Sequence, residues 1–239
     1  MSGMNFVFAF DGADGCGKTT ISQLVYEDLM LAYKPRGFTV FHTRMPGGTN
    51  VGGHIRQMVK NPELSISPLA ERLLFAADTA EHFHQILGQF RDNGLTIHVV
   101  DRWSPVTDYM YGIAGGIDPK TLKDIRKLYM SERLVIYPDV LFIVDVAKDI
   151  MLQRLAAESR PKCRIEKFGT KFHSEVWEMY RAAVEPQSLA YTHCQSMSHT
   201  CKQLDNRNPS VRTLRDVAND AITDAKKCIE SRIENTRGG

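Results

Sequence analysis

Apolar residues along this chain fall either in short unbroken runs or in longer stretches where they recur every three to four positions, and the two patterns alternate. Asn5–Phe10 is a continuous run of strand length closed by Asp11-Gly12, as expected of a strand covered on both faces. Thr19–Tyr33 carries Ile21, Leu24, Val25, Leu29 and Leu31 at mostly helical spacing, and Pro35-Arg36-Gly37 punctuates its end. Phe38–Thr43 reads as a second strand. A short helix with Ile55, Met58 and Val59 follows. Ser67-Pro68 then opens the longest predicted helix, Leu69–Arg91, with Leu73, Leu74, Ala77, Phe83, Ile86, Leu87 and Phe90 on its apolar side and a stop at Asn93-Gly94.

Leu95–Val100 is the third predicted strand and runs directly into Asp101-Arg102-Trp103. Asp118-Pro119 opens a helix through Met130, and Pro138-Asp139 introduces Val140–Val144 as the fourth strand. Lys148–Glu158 returns to helix, Arg160–Phe168 is basic with no clear apolar period, and Phe172–Tyr191 is helical. A short strand near Lys202–Leu204 and a helix around Val211–Ile229 complete the pattern. This alternation predicts an α/β fold: a P-loop NTPase-type parallel sheet of about five strands with helices on both faces.

Composition narrows the function classes. With 239 residues and 43% apolar content, a single domain over residues 1–239 has enough material for a sizeable core. The net charge of +2, with Lys and Arg scattered, lacks the basic face that binding to nucleic acid requires. No apolar run approaches the roughly 18 residues of a membrane span, and the first strand begins by Asn5 without a charged leader, so no membrane partner and a cytoplasmic location are expected. The five cysteines contain no Cys-x-x-Cys and fit reduced thiols. His193, Cys194, His199 and Cys201 lack the spacing of a zinc finger, and the Ser- and Thr-rich stretch around them reads as a solvated connector.

The chemistry enters between the first strand and the first helix, where Gly12–Thr19 is a complete Gly-x-x-x-x-Gly-Lys-Thr. Such a loop surrounds phosphate oxygens with backbone N–H groups at the positive end of a helix. Gly12, Ala13, Asp14, Gly15, Cys16, Gly17, Lys18, Thr19 and Thr20 form the predicted ATP-binding set, with Lys18 reaching the β/γ-phosphates and the Thr19 hydroxyl on Mg²⁺. An apolar strand ending in Asp is the usual second half of such a site, which makes Asp101 the other expected metal residue. Arg44-Met45-Pro46-Gly47-Gly48-Thr49 forms a loop at the carboxyl end of the second strand, where open α/β sheets place ligand-binding groups such as Pro46.

Taken together, Phe10–Thr20, Arg44-x-Pro46-Gly47-Gly48-Thr49, Leu74-Phe75-Ala76-Ala77-Asp78, Asp101-Arg102-Trp103, Pro138-Asp139, Arg164-Ile165-Glu166 and Lys171-Phe172-His173 resemble the thymidylate kinases over nearly the whole chain. That resemblance implies transfer of the γ-phosphoryl group of ATP to dTMP, with Mg²⁺ as cofactor. It implies that Arg102 and Arg56 contact the acceptor phosphate, that Asp14 lies near the acceptor's sugar hydroxyl or a metal, and that Phe75 stacks on the pyrimidine. It also implies a homodimer to which Leu69–Arg91 contributes. Where some members carry an arginine inside the phosphate loop this chain has Gly15, so Arg160 and Arg164, in a basic lid at about residues 159–168, are the expected transition-state arginines.

Two substrate readers depart from the family pattern. After Asp78 the family places an arginine that bonds the base carbonyl, and here Thr79 stands. Beyond Arg102 the chain keeps Thr107 on the base side but has Met110-Tyr111 where the family has a tyrosine guarding the sugar; His82 or Tyr111 could restore a lost contact. The expected substrate is therefore a deoxypyrimidine monophosphate. The alternatives are a related kinase preferring dUMP or a 5-substituted dUMP and, more distantly, a non-catalytic nucleotide-binding P-loop module. A GTPase switch is disfavoured because no Asn-Lys-x-Asp guanine reader occurs.

Overall fold

The computed structural model describes residues 4–88, 94–130, 136–157 and 161–237. Five parallel strands, β1 (Met4–Asp11), β2 (Thr39–Arg44), β3 (Leu95–Asp101), β4 (Val140–Asp145) and β5 (Cys201–Asp205), form one sheet in the order β2-β3-β1-β4-β5. Every residue of β4, and of β1 from Phe6 onward, is buried, so the centre of the sheet is covered on both faces, as the unbroken apolar runs require. β3 lies between β1 and β2, so the first two strands do not pair.

Register decides where the chemistry collects. Asp101 stands opposite Phe10 on one side and Arg44 on the other, so the carboxyl ends of β1, β2 and β3 are level and their following loops share one edge. Pro138-Asp139 lies at the opposite edge. Asp139 accepts the Val7 N–H at 2.8 Å and pairs with Arg232, which ties the start of β4 to β1 and to the carboxyl-terminal helix.

Around the sheet run α1 (Lys18–Tyr33), α2 (Asn50–Lys60), α3 (Pro68–His82), α4 (Ser104–Ala114), α5 (Pro119–Met130), α6 (Lys148–Ala157), α7 (Gly169–Ala182), α8 (Leu189–Ser196) and α9 (Leu214–Arg237). Three boundaries differ from the sequence expectation. The helix expected over Leu69–Arg91 is α-helical only to His82, continues as π-helix over Phe83–Gly88, and has residues 89–93 outside the described set. The wider turn re-phases the chain so that Phe83 packs on Trp103 and Tyr129. The helix expected over Phe172–Tyr191 is broken near Pro186 and Gln187, the latter at φ 76°, into α7 and α8. At 24 residues α9 is longer than α3, and it packs along α1.

Candidate active site

Gly12 enters the phosphate loop at φ +152°, where a Cβ would lie 2.8 Å from both the Val144 carbonyl and Cys16 Sγ. Only glycine lets the loop turn so close beneath β4. The loop is also held from behind: the side-chain amide of buried Asn206, just past β5, donates to the Cys16 carbonyl at 2.7 Å. Lys18 opens α1 and folds back so that its Nζ donates to the Ala13 carbonyl at 3.1 Å and stands 3.6 Å from Asp14.

A cavity of about 660 Å³ opens from this loop. Asp14, Gly15, Gly17, Lys18, Thr19 and Thr20 line one end, whereas Gly12, Ala13 and Cys16 of the predicted set are buried behind the wall or at its root. Pro46, Arg56, Phe75, Asp101, Arg102, Thr107 and Tyr111 line the rest, so the predicted acceptor residues share one space with the phosphate loop.

Arg102 sits at φ 74°, a left-handed conformation unusual for a non-glycine residue, with its N–H donating to the Phe10 carbonyl at 2.8 Å. That backbone turn brings its guanidinium onto the Asp14 carboxylate. Asp14 also accepts from Tyr111 Oη at 2.8 Å. Burial by itself would raise the Asp14 pKa, but Arg102 and Lys18 outweigh it and hold the carboxyl well below the usual carboxylate range. Tyr111 is thereby fixed beside Asp14.

Thr19 Oγ1 donates to Asp101 Oδ2 at 2.8 Å, and Arg44 Nη2 approaches the same oxygen at 3.1 Å. Asp101 Oδ1 is buried without a hydrogen-bond partner. Burial pushes the Asp101 pKa up, yet Lys18 and Arg102 prevail and keep it ionised. A carboxylate with one orphaned oxygen next to a threonine hydroxyl is a donor set suited to a hard cation such as Mg²⁺.

The floor beneath Arg102 is Asp11, fully buried, which accepts from Gly12 N–H and Tyr180 Oη at Oδ1 and from Thr107 Oγ1 at Oδ2. The Thr107 proton is thus committed to Asp11, leaving that hydroxyl only lone pairs for a ligand. Arg56 Nη1 donates to the Pro46 carbonyl at 3.1 Å and lies along Gly47, while Asp78 on α3 accepts the Gly47 N–H at 2.9 Å. Burial raises the Asp78 pKa to about 6.

The lid residues are placed differently from the expectation. Arg160 lies outside the described residues. Arg164 does not line the cavity: it is buried, its Nε donates to the Val59 carbonyl at 3.0 Å, and its guanidinium pairs with Glu71. A guanidinium held by a carboxylate and a helix carbonyl, and absent from the cavity lining, is a structural tie here. The cation that does stand at the loop is Arg154 of α6, donating to the Gly15 carbonyl at 2.9 Å and lining the cavity. Thr79 and His82 also turn away: Thr79 Oγ1 donates to the Phe75 carbonyl at 2.8 Å, and His82 is buried against Gly48 and Thr43.

Sequence reasoning passed over Arg44, Arg72, Asp108, Arg154 and Asn206. Arg44 carried a signal, standing at the end of a predicted strand beside Pro46, whereas Arg154 and Asn206 acquire their contacts only when α6 and β5 close on the loop. Arg72 and Asp108, both buried, line the far end of the cavity near Phe75 and also a neighbouring cavity of about 310 Å³. Burial raises the Asp108 pKa to about 7, with Arg72 opposing.

The chain and its fold are similar to known proteins. The family model described as thymidylate kinase matches residues 10–203. The thymidylate kinase of Pelotomaculum thermopropionicum is 32% identical over 174 residues, 72% of this chain and 77% of that protein. That of Chlamydia trachomatis is 28% identical over 207 residues, 85% of this chain and 97% of its own length. The crystal structure of thymidylate kinase from Ehrlichia chaffeensis aligns with a TM-score of 0.60 over 92% of this chain and 97% of that one, at 23% identity, a likeness of fold.

Proposed function

The chain belongs to the thymidylate kinase family, and we propose that its continuous cavity holds ATP at the phosphate loop and a deoxypyrimidine monophosphate at the Phe75 end. It transfers the γ-phosphoryl group of ATP to dTMP, giving dTDP and ADP. The observation that carries the residue assignment is that Lys18, Arg102 and Arg56 line one cavity between the loop and the aromatic wall.

In this reading the protein positions two nucleotides and supplies positive charge where the transferring phosphoryl spreads its own. Lys18 stabilises the β/γ-phosphate oxygens. Arg102, with Arg56 and Arg44, receives the acceptor phosphate; Asp14 and Tyr111 hold Arg102 in place and face the sugar. Phe75 stacks on the base and Pro46 closes the opposite side. Arg154 is the cation available to the γ-phosphate among the described residues of the lid side. Thr19 and Asp101 would hold Mg²⁺, which when bound neutralises phosphate charge and orients the oxygens.

The wider assignments follow the same reading. A single domain accords with one five-stranded sheet, and no helix among the described residues is long and apolar enough to cross a membrane. Leu69 and Leu73 on α3, with Met58 and Leu64 nearby, are large apolar side chains left exposed, and they support a homodimer packed through α3. Sedimentation showing a monomer at working concentration would remove that assignment. The decisive test of function is an ADP-release assay with ATP and Mg²⁺ over a panel of nucleoside monophosphates. Turnover with dTMP is expected, and its absence across the deoxypyrimidine panel would refute the reading.

A further inference from the structure

Seven cations line the cavity among the described residues, and six of them are held by the protein. Lys18 and Arg102 pair with Asp14, Arg44 with Asp101 and Arg72 with Glu71, while Arg56 and Arg154 donate to the Pro46 and Gly15 carbonyls. The seventh is Lys60, the last residue of α2, whose ammonium makes no hydrogen bond or ion pair with any described residue. A lysine at the carboxyl end of a helix ordinarily extends into solvent beside the last carbonyls. Lys60 is instead half-buried in the cavity wall, one turn beyond Arg56 on the same helix.

The turn that carries Lys60 is pinned through its backbone. Arg164 N–H donates to the Lys60 carbonyl and Arg164 Nε to the Val59 carbonyl, both at 3.0 Å, and Ile165 packs on the cluster of Ile55, Val59 and Phe75. The Lys60 side chain takes no part in holding that turn. Burial lowers the Lys60 pKa and the Arg56 charge adds to this, with Cys163, Asp14 and Glu166 opposing. The ammonium therefore lies within Coulomb range of Arg56 on the acceptor side and of Asp14 in the phosphate loop. Two cations one turn apart on a helix repel, and partial burial adds to the cost. A folded chain keeps such a pair where a bound anion offsets the repulsion.

We propose that Lys60 contacts the phosphoryl group in transit, its ammonium donating to non-bridging oxygens between the acceptor phosphate at Arg56 and the phosphate loop. The inference rests on the reading of this cavity as a nucleoside monophosphate kinase site. During transfer an acceptor phosphate oxygen bonds to the γ-phosphorus while the bond to the β–γ bridging oxygen breaks, and ADP departs with that electron pair. Charge spreads over the equatorial oxygens in between, and a cation at this place stabilises it. Of the two lid arginines expected at that task, Arg164 is committed to Glu71 and the Val59 carbonyl. Lys60, the residue after that carbonyl, brings a charge from α2 in its place.

The test is steady-state kinetics with ATP, Mg²⁺ and dTMP, together with thermal melting, on wild type, Lys60→Met and Lys60→Arg. Lys60→Met should lower kcat about a hundredfold or more with the KM values for ATP and dTMP within about threefold, because the lost contact belongs to the transition state. Its melting temperature should equal or exceed that of wild type, since the repulsion with Arg56 is gone. Lys60→Arg, which keeps the charge, should stay within about tenfold of wild-type kcat. A kcat for Lys60→Met within about threefold of wild type would overturn the proposal. So would a loss of kcat that comes with a fallen melting temperature and is as large in Lys60→Arg, the mark of a structural role. Wild type inert across the deoxypyrimidine monophosphates would refute the kinase reading of the cavity itself.

Discussion

Thr19 Oγ1 donates to Asp101 Oδ2 at 2.8 Å, so the helix that follows the phosphate loop and β3, the strand between β2 and β1, meet through the two residues assigned to Mg²⁺. The other Asp101 oxygen is buried and unpartnered, which leaves the carboxylate one site short of satisfaction until a cation or its water shell arrives. Thr19→Val is expected to raise the Mg²⁺ concentration for half-maximal activity by about tenfold or more, and Asp101→Asn to lower kcat about a hundredfold or more. Activity that survives excess chelator, or an unaltered Mg²⁺ titration in Thr19→Val, would contradict the assignment.

Among the described residues the Lys18 ammonium bonds a loop carbonyl and pairs with Asp14, and it lines the cavity where phosphate would lie. Lys18→Ala should lower kcat by about a thousandfold or more while the melting temperature moves little, because a charge aimed at the transferring phosphoryl acts in a water-poor site. A variant that retains more than about a tenth of wild-type turnover would take Lys18 off the catalytic list.

Arg164 and Arg154 should separate stability from turnover. Removing the Arg164 guanidinium leaves one oxygen of buried Glu71 without its partner while Arg72 still holds the other, so Arg164→Ala should destabilise the fold by about 1–3 kcal/mol with kcat of the folded fraction changed by less than about tenfold. Arg154→Met should do the reverse, lowering kcat/KM for ATP about ten- to a hundredfold with little loss of melting temperature. Melting curves and steady-state kinetics on both variants check this, and the opposite partition would return Arg164 to the lid.

Preference for dTMP over dUMP should be modest. The two bases differ by one methyl group and share their hydrogen-bonding edge, so discrimination is left to packing of that methyl, worth about ten- to two-hundredfold. A kcat/KM ratio above about a thousand would show that the chain discriminates by more than a methyl contact.

Three buried histidines each withdraw stability on mild acidification. His82, His98 and His193 are buried, and burial pushes their pKa values down from the usual 6.5 to about 4. The unfolded chain takes up these protons below about pH 6.5 and the folded chain only near 4, so stability is lost as pH falls through that window. Asp78 and Asp108, raised to about 6 and about 7 by burial, act in the opposite sense, since the folded state binds their protons first as pH falls. Burial lowers His42 as well and raises Asp11 and Asp145, so the imidazole contribution is read by difference. Between pH 6.5 and 4.5 the melting temperature of wild type is expected to fall relative to that of His193→Gln, and parallel profiles would refute the contribution of the buried imidazole.

Much of the architecture was legible because its signals are local. The strands are unbroken apolar runs, and the phosphate loop is a string of residues whose neighbours in sequence are also its neighbours in space. Asp101 and Arg102 could be assigned because they end a strand, and strand ends gather at one edge. Where local signals competed they misled: periodicity across Leu69–Arg91 did not reveal the π turns at Phe83, and the apolar stripe across Phe172–Tyr191 ran over the break at Pro186.

The sequence by itself determined the strands and the phosphate loop, since unbroken apolar runs and loop chemistry are written in residues a few positions apart, and the resemblance of its motifs supplied the class of reaction. Tertiary structure alone decided which charges line the cavity. Arg164 and Arg154 look equally available in the chain, yet Glu71, brought in from a distant helix, consumes one while the other is left at the Gly15 carbonyl. Arg72 reads as an ordinary helix charge until Asp108 and Phe75 close around it. The physical reason is that burial and Coulomb pairing depend on distances between elements far apart in sequence, and those distances exist only once the helices have packed.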